Sequence, residues 1–257
     1  MGRRMTVQKR TCKEQNWLDR LMFRKYPQPQ RLPVCAVIPT LNAGADLRST
    51  LAAVTDVAAH TIVVDGGSTD ATMTIATEFG AQLIHAPRGR GQQLAAGAAA
   101  AMQCHDAPWL LFLHADTVPQ PPWAEAVGRH VALPANQSRA AAFRFELDDR
   151  SPAARRLERA VEWRCRWLAL PYGDQGLLIH RLLYRAVGGY RPLPLMEDVD
   201  IIHRIGRKRL IMLEASARTS AVRYRRTGYW RRSARNTTLL ALYFLGVPPD
   251  QLARWYA

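Results

Sequence analysis

Leu110-Leu111-Phe112-Leu113-His114-Ala115-Asp116 decides how the rest of this chain is read. Apolar residues run without a break and then give way to a His and a carboxylate. The run is too short for a buried helix and Pro119 closes it, so it reads as a strand buried on both faces. Such a strand delivers His114 and Asp116 to its C-terminal edge, where open α/β sheets bind ligands. Taken alone, Asp116 is equally well explained as a cap on the turn before Pro121-Pro122. The balance tips because other strands end in the same way.

Upstream, Val34 to Ile38 is a second buried run, bounded by Pro33 and Pro39 and leading into Thr40-Leu41-Asn42. A helix over 45–57 follows, with Leu47, Leu51 and Val54 on one face. Thr61 to Asp65 reads as the next strand, ending in Asp65-Gly66-Gly67-Ser68. Ser68 is the expected N-cap of a helix over 69–79, with Asp70 favourably placed in its first turn. Gln82 to His85 is a short strand, after which Arg88-Gly89-Arg90-Gly91 opens an Ala-rich helix to about Met102. Unbroken strand–helix alternation predicts an α/β fold: a mostly parallel sheet with helices on both faces. The ends carrying Thr40 and Asn42, Asp65, and His114 with Asp116 should then converge on one crevice.

Downstream the pattern loosens. A helix over 123–131, a strand over 140–147 and an Arg-rich helix over 153–168 precede Pro171-Tyr172-Gly173-Asp174-Gln175-Gly176. A short strand over 177–179 and a Gly/Pro-rich loop lead to Met196-Glu197-Asp198-Val199-Asp200, a helix over 198–205 and a strand over 210–213. The tail over 229–256 is helical and apolar on one side, broken at Pro248-Pro249 and preceded by a cluster of Arg. Leu239 to Leu245 is expected to pack on the domain, while the Arg cluster beside it suits an anionic membrane surface. The expected organisation is a basic leader (1–32), a domain (33–215) in two halves (33–120 and 121–215), and a basic amphipathic tail (216–257).

The 257 residues are 48% hydrophobic and 22% charged, ordinary values for a globular protein with a sizeable core. The net charge of +15 is almost all Arg, a side chain suited to phosphates and carboxylates. Cys12, Cys35, Cys104 and Cys165 are widely spaced, which argues against a zinc site and agrees with a reducing compartment. Neither a signal peptide nor an apolar run of membrane-spanning length is visible.

Several residues carry chemistry. Asp65 closes a buried strand and precedes Gly66 and Gly67, where a ligand can approach the backbone. Its carboxylate suits a base N–H or a ribose hydroxyl, and a tight strand-to-helix turn explains it as well. Arg90 stands at a helix start, a natural anion site, although the glycine spacing is not a dinucleotide fingerprint. Asp116 offers a hard oxygen ligand to Mg2+ or Mn2+ bridging a diphosphate leaving group. His114 suits Mn2+ better than Mg2+. Glu197 and Asp198 are adjacent acids after the Gly/Pro-rich loop, and one of them suits a general base, with helix capping as the plainer account.

Together Val37-Ile38-Pro39-Thr40-Leu41-Asn42, Val63-Val64-Asp65-Gly66-Gly67-Ser68-Thr69-Asp70, Leu111 to Asp116 and Met196-Glu197-Asp198 resemble the family 2 glycosyltransferases, which have the GT-A fold. The resemblance spans about Val34 to Leu213, with its motifs in the family's order, and implies a nucleotide-binding half (33–120) and an acceptor half (121–215). Gly173-Asp174-Gln175-Gly176 and the tail look more narrowly like a bacterial subgroup linked to arsenosugar or carotenoid glycoside biosynthesis. The resemblance implies inverting transfer from a nucleotide-sugar, UDP- ahead of GDP-, to the hydroxyl of a small-molecule or lipid-like acceptor. It implies a donor side of Pro39, Thr40, Asn42, Asp65, Gly66, Gly67, Arg90, Ala115 and Asp116, with Thr40 and Asp65 at the nucleoside. It implies a divalent cation, Mn2+ or Mg2+, at Asp116 and His114. Asp198 would be the catalytic base, Glu197 its acidic neighbour, and Gly173, Asp174 and Gln175 would face the acceptor. The chain departs from the pattern twice. Gly66 follows Asp65 where many members carry a second acid, and His114-Ala115-Asp116 replaces the usual Asp-x-Asp.

The implied place of action is the cytoplasm, with a peripheral position at the inner face of the cell membrane, and no specific nucleic-acid partner. Other readings stay open on the sequence. The charge and the seven Trp fit a basic nucleic-acid-binding protein, although no recognised module for that role is visible. His114 in the metal motif fits a catalytically degenerate relative. A sugar nucleotidyltransferase fits less well, because Pro39-Thr40-Leu41-Asn42 is not a Gly-rich loop.

Overall fold

The computed structural model describes residues 31–256, so all but the end of the expected basic leader lies outside the described residues. Strand β1 (Leu32–Thr40) runs through the sheet interior because both its faces are apolar. Val34, Ala36 and Ile38 point into one core layer and Cys35 and Val37 into the other, the period-two alternation of a strand. β2 (Ala58–Asp65) and β4 (Trp109–Phe112) flank β1 in parallel, and β3 (Gln82–His85) adds outside β2. With β5 (Thr117–Pro119), β6 (Ala140–Leu147), β7 (Leu177–His180) and β8 (Leu210–Thr219), the order is β3-β2-β1-β4-β7-β6-β8-β5 in one eight-stranded sheet.

Helices cover both faces. α1 (Gly44–Val54), α2 (Thr72–Glu78) and α4 (Trp123–Val131) bring Leu47, Leu51, Ile75, Trp123 and Val127 onto the Val34 side. α3 (Arg90–Ala101), α6 (Arg181–Ala186) and α7 (Glu197–Ile205) bring Leu94, Ala98, Leu183 and Ile201 onto the other. α3 sits directly on the strands at Gly97, where a Cβ would collide with Val37 and Val64. α5 (Pro152–Leu168) is capped by Ser151, whose Oγ accepts the Ala154 N–H at 3.2 Å, and packs Val161 and Cys165 against Phe145 and Leu147 of β6. The tail forms α8 (Val222–Thr227), α9 (Tyr229–Phe244) and α10 (Pro249–Tyr256), separated near Pro248-Pro249 as its sequence predicts.

Three differences from the sequence reading matter for the site. First, α2 begins at Thr72 and Ser68 is not its cap. The Ser68 Oγ donates to Asp65 Oδ1 at 2.5 Å and accepts the Asn42 N–H at 2.8 Å, while Asp70 Oδ1 takes the Thr72 N–H at 3.0 Å. Second, the sheet is mostly parallel as expected but is interrupted at β7, which pairs antiparallel with both β4 and β6, before β6 and β8 pair in parallel again. The register opposes Phe112 to Leu177, so the turn before β7 lies at the C-terminal end of β4. Third, β8 runs on to Thr219 and pairs antiparallel with β5, a three-residue strand too short to read from periodicity, matching Thr117 with Thr219. That pairing carries the chain from β8 past Asp116 and starts the tail beside the crevice, with Ser220 donating its N–H to the Asp116 carbonyl at 3.2 Å.

Candidate active site

At the ends of β1 and β2 the backbone turns around one carboxylate. Asp65 is 1% exposed and accepts four hydrogen bonds. They come from Gly67 N (2.9 Å), Ser68 N (2.8 Å), Ser68 Oγ (2.5 Å) and Thr40 Oγ1 (3.1 Å). Burial pushes its acidity down, but the hydroxyl and amide donors outweigh burial and hold the carboxyl below the usual carboxylate range. Asp65 thus builds the turn, and neither it nor Gly66 and Gly67 line the crevice. Asn42 has a left-handed φ of 50°, which Asn tolerates, and its Oδ1 accepts the Thr69 N–H at 2.9 Å, tying the first loop to the second.

A crevice of about 420 Å3 opens above this turn. Pro39, Thr40, Asn42, Arg90, His114, Ala115, Asp116 and Glu197 line it. The strand ends therefore converge as alternation predicts. Residues the sequence reading passed over join them: Asp46, Arg88, Gln93 and Arg223. Buried Gln93 donates its Nε2 hydrogens to Thr40 O at 2.7 Å and Val64 O at 2.8 Å, clamping β1 to β2 at the crevice floor. Burial, and then the charge on Asp116, raise the Asp46 carboxyl above its usual range.

Asp116 and His114 share this crevice, and no group of three or more His, Cys, Asp or Glu suited to a metal occurs among the described residues. That donor set still fits Mg2+ or Mn2+ in a diphosphate site, because such ions keep several water and phosphate oxygens and take only one or two carboxylates. His114 is held neutral, its pKa driven well below the usual value by burial and then by Arg90 and Arg223. Its Nε2 faces Gly173, where an added Cβ would stand 2.5 Å away.

The acid pair follows a strained residue. Met196 has a φ of 64°, in the left-handed region a non-glycine rarely adopts, and α7 starts directly after it. Glu197 is 1% exposed and takes Arg90 Nη1 at 3.2 Å. Burial, opposed by Arg90 and reinforced by Asp198, raises its pKa. Asp198 is half-buried and turns into the open space. Its Oδ2 accepts the Gly173 N–H and its Oδ1 the Val199 N–H, each at 2.8 Å. The two acids are thus split, with Glu197 paired inward and Asp198 presented to the cavity.

Beyond Asp198 the crevice continues into a cavity of about 140 Å3 between the sheet end and the tail. Gly173 and Asp174 line it, as does Tyr172, over whose ring the Arg164 guanidinium stacks at 3.4 Å. Asp174 Oδ1 is buried without a partner, and burial pushes its pKa up to about 6. Gln175 is instead a bracket beneath the turn, donating to Phe143 O at 2.9 Å and accepting from Arg164 Nη2 at 3.3 Å. The far wall is Tyr224, Arg232, Asn236, Leu239, Leu240 and Tyr256 from α8, α9 and α10. Arg232, Asn236, Leu239 and Leu240 share the i, i+4, i+7, i+8 spacing of one helix face. Two polar residues on an otherwise apolar stripe were the signal available in the sequence.

The profile described as Glycosyl transferase family 2 matches residues 35–180. No curated protein sequence matches the chain. Among solved structures, residues 1–349 of S. aureus TarS with UDP align with a TM-score of 0.56 at 13% identity, over 73% of this chain and 60% of that one. Glucosyl-3-phosphoglycerate synthase from Mycobacterium tuberculosis, with Mn2+, UDP and glucosyl-3-phosphoglycerate, aligns with a TM-score of 0.49 at 19% identity, over 74% of this chain and 71% of that one. The TarS likeness is one of fold, and the family match covers more than half of the chain. The protein belongs to glycosyl transferase family 2 and carries a GT-A glycosyltransferase domain.

Proposed function

We propose that the protein is an inverting glycosyltransferase that moves a sugar from a nucleotide-sugar, UDP-linked ahead of GDP-linked, to an acceptor hydroxyl. One observation carries this reading. Asp198 lines the cavity under the tail, which shares Arg90, His114, Asp116 and Glu197 with the neighbouring crevice, and both its oxygens are steadied by main-chain N–H groups. In the proposed reaction the acceptor oxygen attacks the anomeric carbon from the side opposite the diphosphate. The bond from that carbon to the diphosphate oxygen breaks, and the acceptor proton passes to the Asp198 carboxylate. A single displacement of this kind inverts the anomeric centre.

Thr40, Asn42, Pro39 and Ala115 frame the donor, with Asp65, Gly66 and Gly67 shaping the loop beneath them. Arg90 and Arg223 flank the diphosphate position and suit its oxygens. Asp116, with His114, would hold the divalent cation, which when bound neutralises the departing diphosphate. The UDP bound to TarS supports uridine as the first nucleotide to test. Gly173 and Asp174 face the acceptor, and Gln175 supports them from below.

We place the transferase domain from residue 33 and start the tail after β8, since that strand runs on to Thr219. Trp230, Leu245 and Trp255 of the tail are 86%, 81% and 58% exposed among many Arg residues. That surface supports peripheral binding at the inner, anionic face of a membrane and an acceptor presented there. No helix among the described residues is long and apolar enough to cross a membrane.

The test is transfer by Asp198→Asn measured beside UDP binding. Lost transfer with retained binding supports the assignment, and normal turnover would sink it.

A further inference from the structure

Among the described residues four buried side-chain polar atoms lack a hydrogen-bond partner, and three of them border one space. They are Asp174 Oδ1, from the turn before β7, and Arg232 Nε and Asn236 Oδ1, one turn apart on α9. Buried polar groups are costly to leave unpaired, so three around one cavity point to an occupant. Resting on the glycosyltransferase reading, we propose that this cavity is the acceptor subsite and that it takes a small, neutral polyol. Hydroxyls of the polyol donate to Asp174 and Asn236, and one of its oxygens accepts from Arg232.

The chemistry of the wall selects the class. Two of the orphans are acceptors and one is a donor, a mixed demand that a chain or ring of hydroxyls meets at once. Charges lining the cavity nearly offset: Arg90, Arg223 and Arg232 stand with Asp116, Asp174, Glu197 and Asp198, and Arg90 pairs with Glu197. A bound anion or cation would upset that balance, and a neutral polyol leaves it intact. Arg232 is held by two other residues of the same wall, its Nη2 donating to the Tyr256 hydroxyl at 3.4 Å and its guanidinium 5.1 Å from the Tyr224 ring centre. Its buried Nε–H is left without a partner. Leu239 and Leu240 supply apolar surface for the C–H face of a sugar-like ring. The cavity, about 140 Å3, has room for a small polyol. A hydroxyl held at these three points lies in the same cavity as Asp198, the proposed base.

The same headgroup chemistry comes free in solution or attached to a lipid, and the experiment separates the two. Saturation-transfer NMR on the full chain would use glycerol, myo-inositol and glucose, each with and without UDP and Mn2+. A parallel arm would measure binding to phosphatidylcholine vesicles containing either phosphatidylinositol or phosphatidylserine. The expected result is binding of a free polyol, or preference for phosphatidylinositol over phosphatidylserine. Asn236→Leu and Arg232→Met should each weaken that binding about tenfold or more. UDP affinity should stay unchanged in both variants, with thermal unfolding confirming that they fold. Asn236→Ser, smaller and still polar, should lose less. No binding of any polyol in either arm, or polyol binding indifferent to both substitutions, overturns the proposal. Equal binding to both anionic lipids, with no free polyol bound, does so too. Absence of UDP binding in wild type strikes instead at the glycosyltransferase reading, and the polyol arm without nucleotide still decides this one.

Discussion

Gly173 donates its N–H to Asp198 Oδ2 at 2.8 Å, and the side chain it lacks leaves room for His114 Nε2. One small residue thereby joins three elements: the end of β4, the turn before β7 and the first turn of α7. The antiparallel β4–β7 pairing brings that turn to β4, and the left-handed Met196 brings α7.

Gly173→Ala should therefore damage catalysis more than binding. The new Cβ would lie 2.5 Å from His114 Nε2, so His114 or the Gly173 turn that donates to Asp198 must shift. A fall of about tenfold or more in kcat is expected with UDP affinity little changed. Steady-state kinetics beside calorimetry of UDP binding check it.

Asp198→Asn should lower transfer by about a hundredfold or more, the usual worth of a positioned general base. Asn retains an oxygen for the Gly173 or Val199 N–H, so the fold should hold. Nucleotide binding, measured in parallel, should be nearly unchanged.

Asp174→Asn should raise stability at neutral pH while harming acceptor binding. The Asp174 carboxyl has a folded-state pKa of about 6 against an ordinary 3.8, because burial favours its neutral form. The folded state then holds the proton more tightly than the unfolded chain. Stability is greatest below the ordinary value and falls as pH rises through about 6. Asn removes that fall. The melting temperature of the variant should exceed wild type at pH above the Asp174 transition, and the gap should close in acid, as thermal unfolding across pH would show.

Gln93→Leu should destabilise the domain by about 1–3 kcal/mol by removing two buried hydrogen bonds. The carbonyls of Thr40 and Val64 lose the amide that joins them. Urea denaturation gives the stability, and a weaker UDP affinity should accompany it because Thr40 lines the crevice.

The strand ends were legible because buried parallel strands are continuous apolar runs, and Val34–Ile38 and Leu110–Leu113 are such runs bounded by polar residues and Pro. The convergence of Thr40, Asn42, His114 and Asp116 followed from that alternation. The role of Asp65 was not legible, since a carboxylate that binds a ligand and one that binds its own turn share a sequence. Only the four hydrogen bonds on it show that it builds the turn. The tail side of the cavity was missed for another reason. Arg232 and Asn236 reach the site through the β5–β8 pairing, a long-range contact with no local signature. Leu239 to Leu245 was expected to pack on the domain, yet Leu239 is 4% exposed and Leu245 81%.

Calorimetric titration of UDP into the full chain, with and without Mn2+ and repeated on Asp116→Ala, tests the account most directly. Metal-dependent binding by wild type, lost or sharply weakened in Asp116→Ala, is the predicted result. No binding under any condition, or binding indifferent to both the metal and Asp116, would contradict it.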